Sequence, residues 1–430
     1  MFRSTNFQDD APAARVLFSL RKYGLSSAIR QLDIEISNNN SGLLLAELNF
    51  RLRGHSSPRL IIDTIWLKSQ YGGISRVWFN LLNSLSLPGL VTDQSPVALI
   101  SRSPNSAKFV GFDIFHGSSI NPLDFASLDM ASSENHTFAS HWKADVFCST
   151  WITRSSSASP YCPEMVLFHD CIPELFSSTC PSMLETRRRW ILFAKSFLTV
   201  SLDSSLAIQS FYDVPASNIR WCHPSYFFDY LPLSTSVPSF TSLQQKLLLR
   251  LPFIVLPGSG SVGSYKNPEL LARALCSPSL LHCQLLVTGV NARNVCNSIL
   301  EHFPSLHGRV FAAGFTDSEL SSVFRHATAV VIPSLVEGFG LPVLEVLASN
   351  GFPIISDVPG LREAGSECVL RFNPYDVDEL ISLLNLILDK SSRQMISQYL
   401  LPRKIRRLSR LNPDLFCLCF LAQVRSASDF

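Results

Sequence analysis

The strongest constraint on this chain is a rhythm. Short apolar runs alternate with helical stretches, and the pattern occurs twice. The first series contains "RLIIDTIW" (59–66), "MVLFH" (165–169) and "FLTVS" (197–201), with helices expected at "GGISRVWFNLLNSL" and from "DSSLAIQSFY". The second is denser. Its strands are "PFIVLPG", "QLLVTG", "AVVIPS" and "FPIIS", interleaved with the helices "NPELLARAL", "TDSELSSVFRHA", "GLPVLEVLAS" and "DVDELISLLNLIL". Continuously apolar strands suit a parallel sheet buried on both faces. Two such series imply two doubly wound α/β domains, and 430 residues exceed one ordinary core. The Pro/Ser-rich "LPLSTSVPSFTS" (231–242) is the expected linker. The expected divisions are an extension at 1–57, an N-terminal domain at 58–242, a C-terminal domain at 243–400 and a closing segment at 401–430. The extension carries one expected helix, "AARVLFSLRKYGLSSAIRQL", and no assigned role. Residues 101–160 read as long Ser-rich loops.

Composition excludes several classes. Net charge is +2, too small to argue for nucleic acid. The 11 cysteines form no C-x-x-C, which speaks for reduced thiols rather than a disulfide framework or a zinc site. The start has no apolar h-region, so the expected location is the cytoplasm. "LFCLCFLAQV" is too short to span a bilayer about 30 Å thick. "RKIRRLSRL" offers Arg403, Lys404, Arg406, Arg407 and Arg410 either as a peripheral contact with the inner face of a membrane or as a solvated helix face.

The chemistry gathers around "PSLVEGFGLPVLEVLAS". A helix starting near Gly340 is apolar nearly all round and should be buried, yet it carries Glu345. An unpaired buried charge costs several kcal/mol, roughly, so this carboxylate requires a partner, from the protein or from a ligand. Glu337, Gly338 and Gly340 follow a strand, where ligands bind in such folds. The helix N-terminus behind them favours anions. That layout suits a sugar nucleotide: diphosphate on the backbone amides, ribose hydroxyls on Glu345, the sugar near Glu337.

These residues, with "PIISDVPGLREAG" and "NPYDVDEL", closely resemble the C-terminal domain of retaining family-four glycosyltransferases, the glycosyl transferases group 1 domain. The family signature of two glutamates separated by seven residues is matched by Glu337 and Glu345. "DTIWLKSQYGGISRVWFNLL", "VLFHDCIPELF" and "VLPGSGSVGSYKNPELL" are similar to the family's first glycine loop, its "HD-IPE" segment and its donor phosphate loop. The resemblance implies the GT-B fold, two Rossmann-like domains facing a cleft, with a C-terminal helix returning to the first domain. It places Gly73 near the diphosphate or acceptor and His169 beside the reacting sugar, both His169 and Glu337 being catalytic. Lys266 and the amides of Gly338, Phe339, Gly340 and Leu341 hold the diphosphate, and Glu345 binds the ribose. No metal or separate cofactor is implied. The implied reaction moves a hexose, such as mannose, from a nucleotide-diphosphate sugar to a glycan or lipid-linked acceptor in polysaccharide biosynthesis.

One departure stands out. The family carries an Arg about four residues before the phosphate Lys, where this chain has Ser261 or Val262. Loss of that guanidinium motivates an alternative, a sugar-nucleotide-binding protein with impaired turnover. "GSGSVG" (258–263) also fits a dinucleotide loop. The next strand ends without an acid for the ribose, which disfavours a nicotinamide-dependent oxidoreductase. Asp376 reads as a helix N-cap with Glu379, in preference to a metal-binding D-x-D.

Overall fold

The computed structural model describes residues 10–38, 40, 42–68, 72–93, 96–103, 109–176, 181–226, 240, 244–245, 249, 252–258 and 260–429. Contacts divide it into two units, Met1–Ser225 with Leu411–Phe430, and Tyr226–Arg410. The divisions read from the sequence were 242/243 and 400/401. The linker candidate 231–242 lies outside the described residues except for Phe240.

The N-terminal unit holds a parallel sheet of β1 (Leu60–Asp63), β2 (Val97–Ser101), β3 (Asp113–His116), β4 (Val146–Ser149), β5 (Glu164–Phe168), β6 (Ala194–Thr199) and β7 (Ile219–Trp221). Their spatial order is β3-β2-β1-β4-β5-β6-β7. The C-terminal unit repeats the plan with β8 (Phe253–Pro257), β9 (Gln284–Thr288), β10 (Val310–Ala313), β11 (Ala329–Ile332), β12 (Pro353–Ser356) and β13 (Leu370–Phe372). Here the order is β10-β9-β8-β11-β12-β13, again all parallel. In both sheets the order reverses beside the first strand, between β1 and β4 and between β8 and β11. The crevice beyond the carboxyl ends of those strands is where a doubly wound sheet receives a ligand. The central strands β1, β2, β4, β5, β11 and β12 are buried along their whole length, which is why they read as continuous apolar runs.

Residues 101–160 are not loop throughout. They contain β3, the helix Leu128–Trp142 and β4. β3 lies at the sheet edge and is partly exposed, so it lacks the all-apolar signal. The single helix expected in the extension is two, Ala11–Tyr23 and Leu25–Ser37, because the intervening Gly24 adopts φ 82°. With Leu43–Leu52 they belong to the N-terminal unit; Ala11–Tyr23 and Leu43–Leu52 pack on the closing helix Pro413–Ser428, and Leu25–Ser37 packs on those two. The closing helix contains "LFCLCFLAQV", all of it buried. Its other partners include β4, β5, β6 and the helix Gly73–Leu85. Glu47 receives Arg51 at 2.6 Å and Arg425 at 2.9 Å, and Arg21 reaches Asp414 at 2.6 Å. The first residues of the chain therefore cover an apolar helix from its last residues, and the charges fix how they meet. No helix of the described residues is long and apolar enough to cross a membrane.

Candidate functional site

In the C-terminal unit, the loops after β8 and β11 flank the point where strand order reverses. The first ends in Lys266 and the second carries Glu337. Lys266 Nζ donates to Glu337 Oε1 at 2.6 Å, and Ser334 Oγ donates to the same oxygen at 2.7 Å. The Lys266 and Glu337 side chains are 22% and 12% exposed, so the pair borders solvent. Leu335 N donates to Tyr265 O at 2.7 Å, tying the loops together at the backbone. Gly260 explains the glycine-rich spacing here. A Cβ on it would lie 2.3 Å from Ser264 Oγ and 2.6 Å from Lys266 Cβ. Ser264 Oγ is buried without a hydrogen-bond partner among the described residues.

Helix Leu341–Ala348 begins directly beyond Glu337. Its N-cap is Gly340 at φ 101°, a conformation that penalises any Cβ. A Cβ there would also lie 2.5 Å from Leu361 Cδ2. The first-turn amides precede the regular helical ladder; Pro342 removes one of them, and Val343 N donates to Gly340 O at 3.0 Å. Every helix residue except Pro342 is buried, including Glu345 at 6% exposure. Gly338, Phe339, Gly340 and Leu341 form the turn between Glu337 and this helix. The expected donor-side residues thus occupy one short segment, with Lys266 brought to it from 71 residues away.

His169 and Gly73 belong to the other unit. Gly73 opens the helix Gly73–Leu85 behind Gly72, whose φ is 112°. His169 follows β5. A cavity of about 40 Å³ is lined by Ile74, Thr150, Trp151, His169, Arg187 and Trp190 among others, so the glycine-opened helix and the histidine border one space. His169 retains some surface, but its Nε2 is sealed from solvent with no hydrogen-bond partner among the described residues. Burial, aided by the Arg187 guanidinium, pushes its pKa down to about 3. The imidazole is therefore neutral at physiological pH.

Arg187, within "TRRRW" (186–190), is a further residue bordering this space. It is buried and donates through Nε to Glu174 Oε1 at 2.6 Å and through Nη2 to Asp170 O at 2.7 Å. Tyr212 Oη also donates to Glu174. The only sequence hint was Glu174 itself, the acid of "HDCIPEL".

Three further expectations have definite outcomes. Val262, one of the two residues standing where the resemblance expects an Arg, packs against the C-terminal core and donates its amide to Ser298 Oγ at 3.2 Å. Asp376 caps helix Val377–Leu388, accepting from the amides of Asp378 and Glu379. The basic segment does not present five free cations. Arg407 is buried on backbone carbonyls, Arg406 pairs with Glu367, and Lys404 donates to Asn350. Periodicity does not reveal that Arg407 points inward, because the backbone acceptors that hold it, Ala364 O and Glu363 O, lie elsewhere in the chain.

Residues 240–400 match the family profile of "Glycosyl transferases group 1". An MMP alpha-(1->4)-mannosyltransferase of Mycolicibacterium hassiacum is 37% identical over 101 residues, 23% of this chain and 22% of that protein. O-antigen chain mannosyltransferase B of Escherichia coli is 29% identical over 210 residues, 47% of this chain and 54% of that protein. The chain thus spans about half, or less, of the curated relatives it matches. Among solved structures, Anabaena Alr3699/HepE in complex with UDP-glucose aligns with a TM-score of 0.62 at 15% identity, covering 85% of this chain and 99% of the other. A glycosyltransferase from Rickettsia africae gives a TM-score of 0.62 at 16% identity, covering 86% and 98%. The fold is accordingly the two-domain GT-B architecture, and residues 240–400 are similar to the glycosyl transferases group 1 domain.

Proposed function

We propose that this protein is a glycosyltransferase that moves a hexosyl group, mannose by preference, from a nucleotide-diphosphate sugar to a glycan or lipid-linked acceptor. The observation that carries the reading is the meeting of Lys266 and Glu337 at the start of helix Leu341–Ala348, with Glu345 buried in that helix. A cation, a helix N-terminus and two acids within one segment fit the parts of a sugar nucleotide. In this reading Lys266 and the amides from Gly338 to Leu341 take the diphosphate and stabilise its charge as it leaves, without a metal. Glu345 accepts from the ribose hydroxyls. Glu337 accepts from a hydroxyl of the transferred sugar, which orients the anomeric carbon. His169, held neutral, donates or accepts a hydrogen bond at the sugar or acceptor but carries no charge into the step. Gly73 keeps the backbone open for the acceptor or diphosphate. Attack from the face the nucleotide leaves, with a phosphate oxygen taking the acceptor proton, retains the anomeric configuration. The mannosyltransferase relatives support the choice of sugar.

A second reading is motivated by Val262. With Ser261 or the partly buried Val262 standing where the family carries a guanidinium, diphosphate stabilisation falls to Lys266 and the helix end. Slow turnover with intact donor binding would follow.

The experiment is a thermal-shift screen with GDP-mannose and UDP-, ADP- and dTDP-glucose, followed by donor hydrolysis and transfer assays on whichever stabilises the protein. A ligand at 100 times its Kd stabilises the native state by about 2.7 kcal/mol. Stabilisation with turnover supports the first reading, and stabilisation without turnover supports the second. No response to any sugar nucleotide, with a response to a nicotinamide dinucleotide, would overturn both.

A further inference from the structure

The basic run at 403–410 is not used by the donor-site reading, and its members in helix Lys390–Ser409 meet different fates. Arg403 lies over the Tyr399 ring at 3.9 Å, and Arg406 reaches Glu367 at 3.2 Å; both remain at the surface. Arg407 turns inward and is 8% exposed. Its Nε donates to Ala364 O at 3.1 Å and its Nη2 to Glu363 O at 2.7 Å. Those carbonyls lie in the last turn of helix Pro359–Gly365, where backbone acceptors run out of intrahelical donors. A guanidinium there satisfies them and complements the negative end of the helix. Burial lowers the Arg407 pKa to about 10, so the group stays charged at neutral pH.

The same short helix is the floor of the Glu337 segment. A Cβ on Gly360 would lie 2.1 Å from Glu337 O and 3.2 Å from the Gly338 carbonyl carbon. Leu361 fills the space a Cβ on Gly340 would need, and Ala364 stands behind it. Gly360, Leu361 and Ala364 are all buried. Close-packed surfaces transmit displacement because there is no void to absorb it. The helix is therefore held at one end by Arg407 and presses along its buried face on residues 337–340.

We propose that Arg407 is a positioning residue for the Glu337–Leu341 segment, acting through helix Pro359–Gly365 without touching substrate. This deepens the donor-site reading and rests on it for the functional consequence; the mechanical link stands on the packing alone. The basic motif is thereby a helix clamp as well as a charged surface.

Hydrogen exchange on the full chain, wild type against Arg407→Met, Arg407→Lys and Arg406→Met, tests the link without any ligand. Peptides covering 337–343 should exchange about fivefold faster in Arg407→Met, through more frequent local opening. Arg407→Lys, which keeps one charged donor on a similar stem, should fall between, and Arg406→Met should match wild type. Acceleration confined to 362–366 in Arg407→Met overturns the proposal, and so does equal acceleration in Arg406→Met. If Arg407→Met does not fold, Arg407→Lys decides: exchange at 337–343 equal to wild type overturns the proposal. In parallel, calorimetry with UDP and GDP should show the nucleotide that wild type binds weakened about tenfold in Arg407→Met and about threefold in Arg407→Lys. Wild type binding neither nucleotide would count against the donor-site reading, while the exchange data still judge Arg407.

Discussion

Replacing Glu337 by Gln should strengthen binding of the free nucleoside diphosphate while it cripples turnover. Glu337 Oε1 accepts from Lys266 Nζ at 2.6 Å and from Ser334 Oγ at 2.7 Å. Gln keeps the shape and the oxygen but loses the charge. A phosphate approaching Lys266 from the side away from Glu337 would stand about 2.8 Å from Nζ, so the two anions would be about 5–6 Å apart. Their repulsion at that range is about 0.7 kcal/mol in water and about 3 kcal/mol at an effective dielectric constant of 20. The pair is partly open to solvent, with side chains 22% and 12% exposed, which favours the lower part of that range. A relief of about 1 kcal/mol corresponds to about fivefold in Kd. Release of the ammonium from its present partner acts in the same direction. Turnover should move the other way, falling at least about a hundredfold, because the sugar loses a charged acceptor aimed at it. Calorimetry with UDP and GDP measures the first effect, and hydrolysis of the donor sugar measures the second. Weaker nucleotide binding by Glu337→Gln, or undiminished turnover, would refute the reasoning.

Three buried groups give pH-dependent outcomes. Hydrogen bonds from Arg15, working against burial, and further ones from Gln31 and Asn40, hold Glu35 at about 2. A depressed carboxylate stabilises above its unfolded value and loses that contribution as pH falls through its folded value. Melting curves of Glu35→Gln should therefore lie below wild type at pH 7 and converge with it between about pH 4.5 and 2; a constant offset would contradict this. Glu164 is the opposite case. Burial raises its pKa against the Ser155 hydrogen bonds, and Oε2 has no hydrogen-bond partner among the described residues. Its protonated form is favoured by folding, so stability is lost as pH rises through the folded pKa. Glu164→Gln should gain on wild type as pH increases from acid towards neutral, and a gap that stays flat in melting experiments would count against it. For His169, lowered to about 3 by burial, the unfolded state takes up the proton first. His169→Gln should blunt the loss of stability as pH falls from about 6.5 towards 3, and unchanged acid sensitivity would be the contrary result.

How far this could be read from sequence depends on the element. Strands buried on both faces, such as β5, β11 and β12, announce themselves as apolar runs, and the capping box of Thr316 and Glu319 marks its helix. The segment from Glu337 to Glu345 was legible because glycines, a proline and two acids have little other reason to share one strand–helix turn. The edge strand β3 was not, since a partly exposed strand mixes polar and apolar residues without a clean period. Nor was the role of the first 57 residues, because the apolar helix they cover lies at the opposite end of the chain. Gly24 could have been recognised as a helix break, but its flanks are individually good helix formers. Charge pattern alone misled at Arg407 and assigns no role to Arg187. In both cases the guanidinium is buried by acceptors that sequence does not place, backbone carbonyls for one and Glu174 with Asp170 O for the other.

The central claim is that a carboxylate within an apolar helix reads the pentose of a nucleotide. The most direct measurement is a double comparison by calorimetry: a nucleoside diphosphate and its 2′,3′-dideoxy analogue, each titrated into wild type and into Glu345→Ala. Removal of the hydroxyls should cost wild type about tenfold or more in affinity and should cost Glu345→Ala less than about twofold, because the two changes delete the same hydrogen bonds. Equal losses in both proteins would place the pentose away from residue 345.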